Sequence, residues 1–318
     1  MSIDLDFDSG QQALAEAVGR FCAARWSDSD ARQAGAEDAP QLSRALWSEL
    51  AELGVLAAGA PGGEGGALEV CAAMEALGHA VFPGPLVASF LAQQVLPEDE
   101  ARCVGAGDCL VALGKPPLLP WAADADLFLE CAEGQIFRAE PRGPVIPQAS
   151  LGGEAWGRLE LVRGPALPGG QRALALGVIA GAAYLVAAAN RLIEDAAAYA
   201  TRRQQFGRTI GEFQAVAHPL ADASMGLAAA RLLTRAAACA FETDSPGSLQ
   251  RRTAIARHSA HRAALDAVQT GHQVFGAVGV TLEGPAFFIT RRIRGLAAQL
   301  PRTPDSGDLL GAILGGAR

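Results

Sequence analysis

The stretch Arg203-Gln204-Gln205-Phe206-Gly207-Arg208-Thr209-Ile210-Gly211-Glu212-Phe213-Gln214 decides how this chain is read. It separates two long Ala-rich segments whose apolar residues recur at helical spacing. A plain connection between antiparallel helices needs a glycine or two and some polar residues. It has no need of an Arg-x-Gln-Phe-Gly core with a second Phe-Gln at 213–214. Upstream, the spacing predicts one helix over about 170–202, with Leu174, Val178, Leu185, Leu192 and Tyr199 inward. Downstream it predicts helices over about 212–242, 249–275 and 285–300, and a tail helix after Asp305. Pro219 falls early in the second of these, and Ser245-Pro246-Gly247 breaks the pattern before the third. Long antiparallel helices with short turns imply a four-helix bundle over residues 165–318.

Working back toward the N-terminus, residues 1–104 read as a helical domain. Ser9 caps a helix to about 25, with Leu14, Val18 and Phe21 on one face. A second helix over about 40–53 carries Leu42, Leu46, Trp47 and Leu50 and stops at Gly54, a left-handed cap. A third follows over about 68–78. Residues 105–164 hold short apolar runs at 110–113, 127–131, 135–139 and 158–162, with Glu133-Gly134 as a turn. They predict a small β domain that must lean on the helices around it. The fold class is therefore mainly α with a small β domain.

Half the residues are apolar and the formal charge is −8, which suits a sizeable core and argues against nucleic acid or an anionic membrane surface as partner. The six cysteines are scattered without a C-x-x-C pair and read as buried thiols in a reducing cytosol, so the expected location is cytoplasmic. The apolar run around 173–189 is broken by Gly177, Gly181 and Tyr184 and reads as a core helix rather than a membrane span. Its small residues either leave room for a bulky substrate or pack helices closely. His258 and His261 share a helix face, with His272 beyond, but no carboxylate or thiol cluster accompanies them, so no metal is expected.

A second motif, Gln273-Val274-Phe275-Gly276-Ala277-Val278-Gly279-Val280-Thr281-Leu282-Glu283, lies some 70 residues after the arginine run. Together with Tyr199, Leu220-Ala221-Asp222, the Gly-rich loop at 61–66, Met74-Glu75-Ala76-Leu77-Gly78 and Pro83-Gly84-Pro85, it resembles the acyl-CoA dehydrogenase family over nearly the whole chain. The resemblance implies an N-terminal helical domain, a middle β domain and a C-terminal bundle. It also implies FAD-dependent α,β-desaturation of an acyl-CoA thioester, with electrons passed to an electron-transfer flavoprotein. Arg203, Phe206, Gln214, Gln273, Gly276 and Ala277 then match positions that reach the FAD of a neighbouring subunit. An arginine fork suits the planar oxygens of a pyrophosphate and stays charged at any working pH. Phe206, a ring that reads as buried, can pack on a flat ring, and Gln214 can offer an amide to a phosphate or adenine edge. Ala277 stands where the family has a second glycine. Asp222 reads as a packing or ion-pair residue.

Two family features are missing. Residues 105–164 lack the Thr-Glu-Pro and Gly-Ser-Asp segments that hold the flavin ring. The catalytic glutamate has no counterpart: the tail Pro304-Asp305-Ser306-Gly307-Asp308 does not match, and the alternative place, 22 residues before Tyr199, is Gly177. No catalytic residue is assigned. This pattern resembles the shortened, non-catalytic partner in heterotetrameric acyl-CoA dehydrogenases of steroid side-chain β-oxidation, where a longer subunit supplies the base. The alternatives are a homo-oligomeric enzyme with an unrecognised base, Glu154 or Glu160 being the residues to test, and a flavin-free scaffold.

Overall fold

The computed structural model describes residues 5–36, 42–63, 65–149 and 154–300. Six helices come first: α1 (Ser9–Arg25), α2 (Asp28–Ala36), α3 (Arg44–Glu52), α4 (Ala67–His79), α5 (Leu86–Gln93) and α6 (Glu98–Gly105). The α1 cap is Asp8, one residue before the expected Ser9. Its carboxylate accepts the Gly10 and Gln11 N–H groups at 2.8 and 2.9 Å, and the Gln11 side chain accepts the Asp8 N–H. The helix expected from about residue 40 begins at Arg44, because Ser43 caps it by accepting the Leu46 N–H. Gly54 adopts the left-handed conformation expected of it, at φ 74°.

Five strands follow: β1 (Val111–Gly114), β2 (Leu118–Pro120), β3 (Leu127–Ala132), β4 (Gln135–Gln148) and β5 (Trp156–Ala166). They form one sheet in the order β1-β3-β4-β5-β2, with β1 parallel to β3 and the remaining pairs antiparallel. Four strands were expected; the fifth, β2, has three residues, too few to show alternation. Glu133 and Gly134 both take positive φ, the backbone a two-residue hairpin turn requires. The sheet leans on helices as expected: Val111, Leu129 and Ile136 share a buried cluster with Ala88, Leu91 and Val95 of the α5 region and with Leu174.

The rest is helical: α7 (Gly170–Ala200), a minimal hairpin of β6 (Gln204–Gln205) and β7 (Arg208–Thr209), then α8 (Gln214–Thr243), α9 (Pro246–Phe275) and α10 (Pro285–Gln299). Pro219 is accommodated within α8. Pro246 starts α9 rather than breaking the chain before it, since proline at the first helical position loses no hydrogen bond. The expected tail helix lies outside the described residues. One apolar core joins Val18 of α1 and Trp47 of α3 to α4, α7, α8, α9 and α10. By length and composition α7 could cross a membrane, but its side chains are buried within this core, as expected of a core helix.

Its small residues serve close packing. A Cβ on Gly177 would lie 3.0 Å from Leu91 Cδ1, and one on Gly181 would overlap the Leu300 side chain. Gly78 of α4 rests against the backbone of Tyr184, where a Cβ would overlap the carbonyl oxygen.

Not all the cysteines are free thiols. Cys103 and Cys109 form a disulfide across the turn after α6, where Gly107 takes φ 79° and the two cysteine Cα atoms lie 5.4 Å apart. Cys22 and Cys71 are buried thiols, and burial pushes Cys22 up to about 12.

Candidate functional site

The arginine run folds into a two-residue hairpin. Gln204 pairs with Thr209 and Gln205 with Arg208, leaving Phe206 and Gly207 at the tip with φ of 53° and 81°. Phe206 is not buried, as its sequence suggested, but 93% exposed. The Phe-Gly turn between polar flanks accounts for the difference, because it projects the ring away from both helices. The base of the hairpin is firmly held. The Arg203 N–H donates to Tyr199 O at 2.9 Å and the Ile210 N–H to Arg203 O at 2.8 Å. Glu212 accepts the Thr209 N–H and hydroxyl at 3.1 and 2.8 Å, which keeps its carboxyl below the ordinary value. Arg208 covers the Phe213 ring at 4.1 Å, and Phe206 meets the same ring edge-on at 6.2 Å. Arg203 is exposed and its side chain has no hydrogen bond or ion pair among the described residues.

Beside the hairpin a groove of about 1050 Å³ runs between α8 and α9, lined among others by Gln205, Phe206, Phe213, Asp222, Asp266 and Gln273. It brings Phe206 together with Gln273 from the second motif. Arg203, Gln214, Gly276 and Ala277 do not line it. Gln214 is exposed as the first residue of α8. Gly276 closes α9 with φ 59° and ψ −131°, and Ala277 lies exposed in the 3-10 turn it begins.

Two acidic residues complete the lining. Asp222 is exposed and has no ion pair among the described residues, contrary to the role expected of it. Asp266 lies 3.8 Å from Arg262 on its own helix. Its signal was present in the sequence, because seven residues before Gln273 is two turns along the same helix face.

The sequence left Glu154 and Glu160 to be tested as bases and placed a glycine, Gly177, at the family's alternative position. Gly177 is packed on Leu91. Glu154 is 1% exposed, and its Oε1 accepts from Arg292 Nη1 at 3.3 Å. Arg292 also donates to Tyr184 Oη and Phe82 O, both at 3.1 Å, and Tyr184 Oη donates to Phe82 O at 2.8 Å. Glu160 is exposed on β5, away from this interior.

The outward residues fit the donor set FAD needs: a guanidinium with no partner among the described residues, two exposed amides and an exposed aromatic ring. The model of the acyl-CoA dehydrogenase C-terminal domain matches residues 170–298, and that of the N-terminal domain matches residues 8–97. Acyl-CoA dehydrogenase IpdE2 of Mycobacterium tuberculosis is 30% identical over 311 residues, which are 92% of this chain and 93% of the relative. The chain belongs to the acyl-CoA dehydrogenase family.

Membership assigns it to FAD-dependent oxidoreduction of acyl-CoA, and the helical–β–helical order is the acyl-CoA dehydrogenase fold. Among solved structures, the ChsE4–ChsE5 complex from Mycobacterium tuberculosis superimposes with a TM-score of 0.80 at 23% identity, over 99% of this chain and 98% of the other. A Tcur3481–Tcur3483 steroid acyl-CoA dehydrogenase variant gives 0.82 at 21% identity, over 97% and 98%. At these identities the likeness carries the fold.

Proposed function

We propose that this chain is the non-catalytic subunit of a cytoplasmic, heteromeric acyl-CoA dehydrogenase, in which it completes the FAD site of a longer partner. Its parts are a helical domain over 1–104, a reduced β domain over 105–164 and a bundle over 165–318. The observation that carries this reading is the direction of the site. Phe206 stands in solvent at the hairpin tip near Arg203, whose side chain has no partner among the described residues, while Gly177, packed on Leu91, holds one of the two places where the family's base is expected. Residues aimed outward serve a group held against another chain. Two structural neighbours are themselves two-chain complexes, one of them a steroid acyl-CoA dehydrogenase, which supports both the partner and a steroid side-chain acyl-CoA as substrate.

FAD, when bound, supplies the acceptor for the β-hydride of the acyl chain. Arg203 contributes the positive charge for its diphosphate, with Gln214, Gln273 and the Gly276–Ala277 backbone as neutral donors. Asp222 and Asp266 accept hydrogen bonds, so they suit hydroxyl groups and leave phosphate charge to the arginine. Phe206 covers a flat surface and keeps water from it. The partner supplies the glutamate that removes the α-proton, and electrons leave to an electron-transfer flavoprotein.

The test is the visible absorption spectrum of the chain purified alone and then with a longer acyl-CoA dehydrogenase subunit encoded beside it. The expected outcome is a colourless chain alone and a yellow complex with about one flavin per pair of unlike chains. A chain that is yellow alone, and whose flavin is bleached by an acyl-CoA, overturns the shared site.

A further inference from the structure

The last turn of α9 is joined to α10 through His272. Its Nε2 shares a hydrogen bond with Thr290 Oγ1 of α10 at 2.9 Å. Its carbonyl accepts the Gly276 N–H that closes the helix. The following 3-10 turn folds back onto the ring: a Cβ on Gly279 would stand 3.3 Å from His272 Nδ1 and 3.0 Å from Phe275 Cβ, so glycine allows the close approach. Burial and the Arg294 charge both hold the imidazole below its ordinary value, so at neutral pH the ring is an uncharged hydrogen-bonding group.

The same turn is tied to the hairpin. Phe275 stacks on Tyr199 with ring centroids 5.1 Å apart, and the Tyr199 carbonyl accepts the Arg203 N–H. The two arms of the outward site, Arg203 and Gln273, therefore share one support, and His272 fixes its far end. Gln273 is exposed on the groove, and its side chain has no hydrogen bond among the described residues.

We propose that His272, through Thr290, is a positioning residue that sets the last turn of α9 and so aims Gln273 at the cofactor. This rests on the shared FAD site proposed above. Where cofactor groups meet their donors, an aim that is fixed in advance avoids the ordering cost of a free side chain.

The experiment measures FAD affinity of the assembled flavoprotein, by quenching of flavin fluorescence, in four forms: Thr290→Val, Thr290→Ser, Gln273→Ala and the double variant Thr290→Val with Gln273→Ala. Melting and gel filtration check that each form still folds and assembles. The expected result is a loss of about five- to tenfold in Thr290→Val, as for one lost hydrogen bond, and none in Thr290→Ser, which keeps the hydroxyl. In the Gln273→Ala background the Thr290→Val loss should vanish, which a general loosening of α10 would not produce. If Gln273→Ala weakens FAD binding and Thr290→Val does not, or if the two losses simply add, the positioning role is wrong and the shared site stands. If Gln273→Ala itself leaves the affinity unchanged, the positioning role is wrong, while the shared site is judged separately by whether the chain alone holds flavin.

Discussion

Arg203 and Phe206 show how one residue's surroundings separate a ligand-binding role from a structural one. Arg203 has no side-chain partner among the described residues, so removing it should leave folding intact. Arg203→Ala is expected to lower FAD affinity of the assembled protein about ten- to a hundredfold, the equivalent of charge-assisted bonds worth about 1.5–3 kcal/mol. Unchanged flavin content and activity would dismiss it as a pyrophosphate ligand. Phe206 holds an unfavourable conformation for a residue with a Cβ, at a cost of roughly 1 kcal/mol, with 93% of its surface in water. Phe206→Gly removes that strain, so the melting temperature of the chain alone should hold or rise slightly while FAD affinity in the complex falls. A fall in both would make the ring a structural contact of Phe213. Reading Phe206 from sequence failed because an aromatic residue near two apolar helices is usually core. The better signal was Phe-Gly between Gln-Gln and Arg-Thr, four polar flanks around a turn pair.

Among elements, α4 and α7 pack at a contact where glycine is needed. A Cβ on Gly78 meets backbone of α7, which cannot move aside as a side chain can. Gly78→Ala should therefore cost about 1–3 kcal/mol, read as a lower denaturant midpoint at unchanged slope. Gly181→Ala should cost less, since the Leu300 side chain can turn away. Equal effects would mean that the α4–α7 contact yields as readily as a rotamer. The long helices α7 to α10 were legible because each repeats its apolar face over several turns. The short helices α2, α5 and α6 were not individually distinguished. α5 is buried on nearly every side, so it lacks the polar face that reveals periodicity. α6 did carry a start signal in Glu98-Asp99-Glu100 after Pro97.

Over the whole molecule, both cofactor motifs were visible in sequence because their residue types and spacing are unusual for turns. The groove between them was not, since only folding brings Asp222 and Asp266 beside Phe206. The interior was equally hidden: nothing in the spacing of Glu154 and Arg292 announces that they meet. Arg292→Met should destabilise the chain by about 3–5 kcal/mol, measured by chemical denaturation, because it leaves the Glu154 carboxylate buried without its cation. A loss under about 1 kcal/mol would show that water reaches the pair.

The partners of Arg292 also bear on the order of folding. They lie 108, 138 and 210 residues upstream, at Tyr184, Glu154 and Phe82. Until α10 is in place, Glu154, Tyr184 and Phe82 all lack the Arg292 guanidinium that joins them. Arg292 thus ties α10 to the loop before α5, to the start of the β5 region and to α7 at once. Contacts of such separation form only after long stretches of chain have been brought together, so this part of the interior closes late in folding.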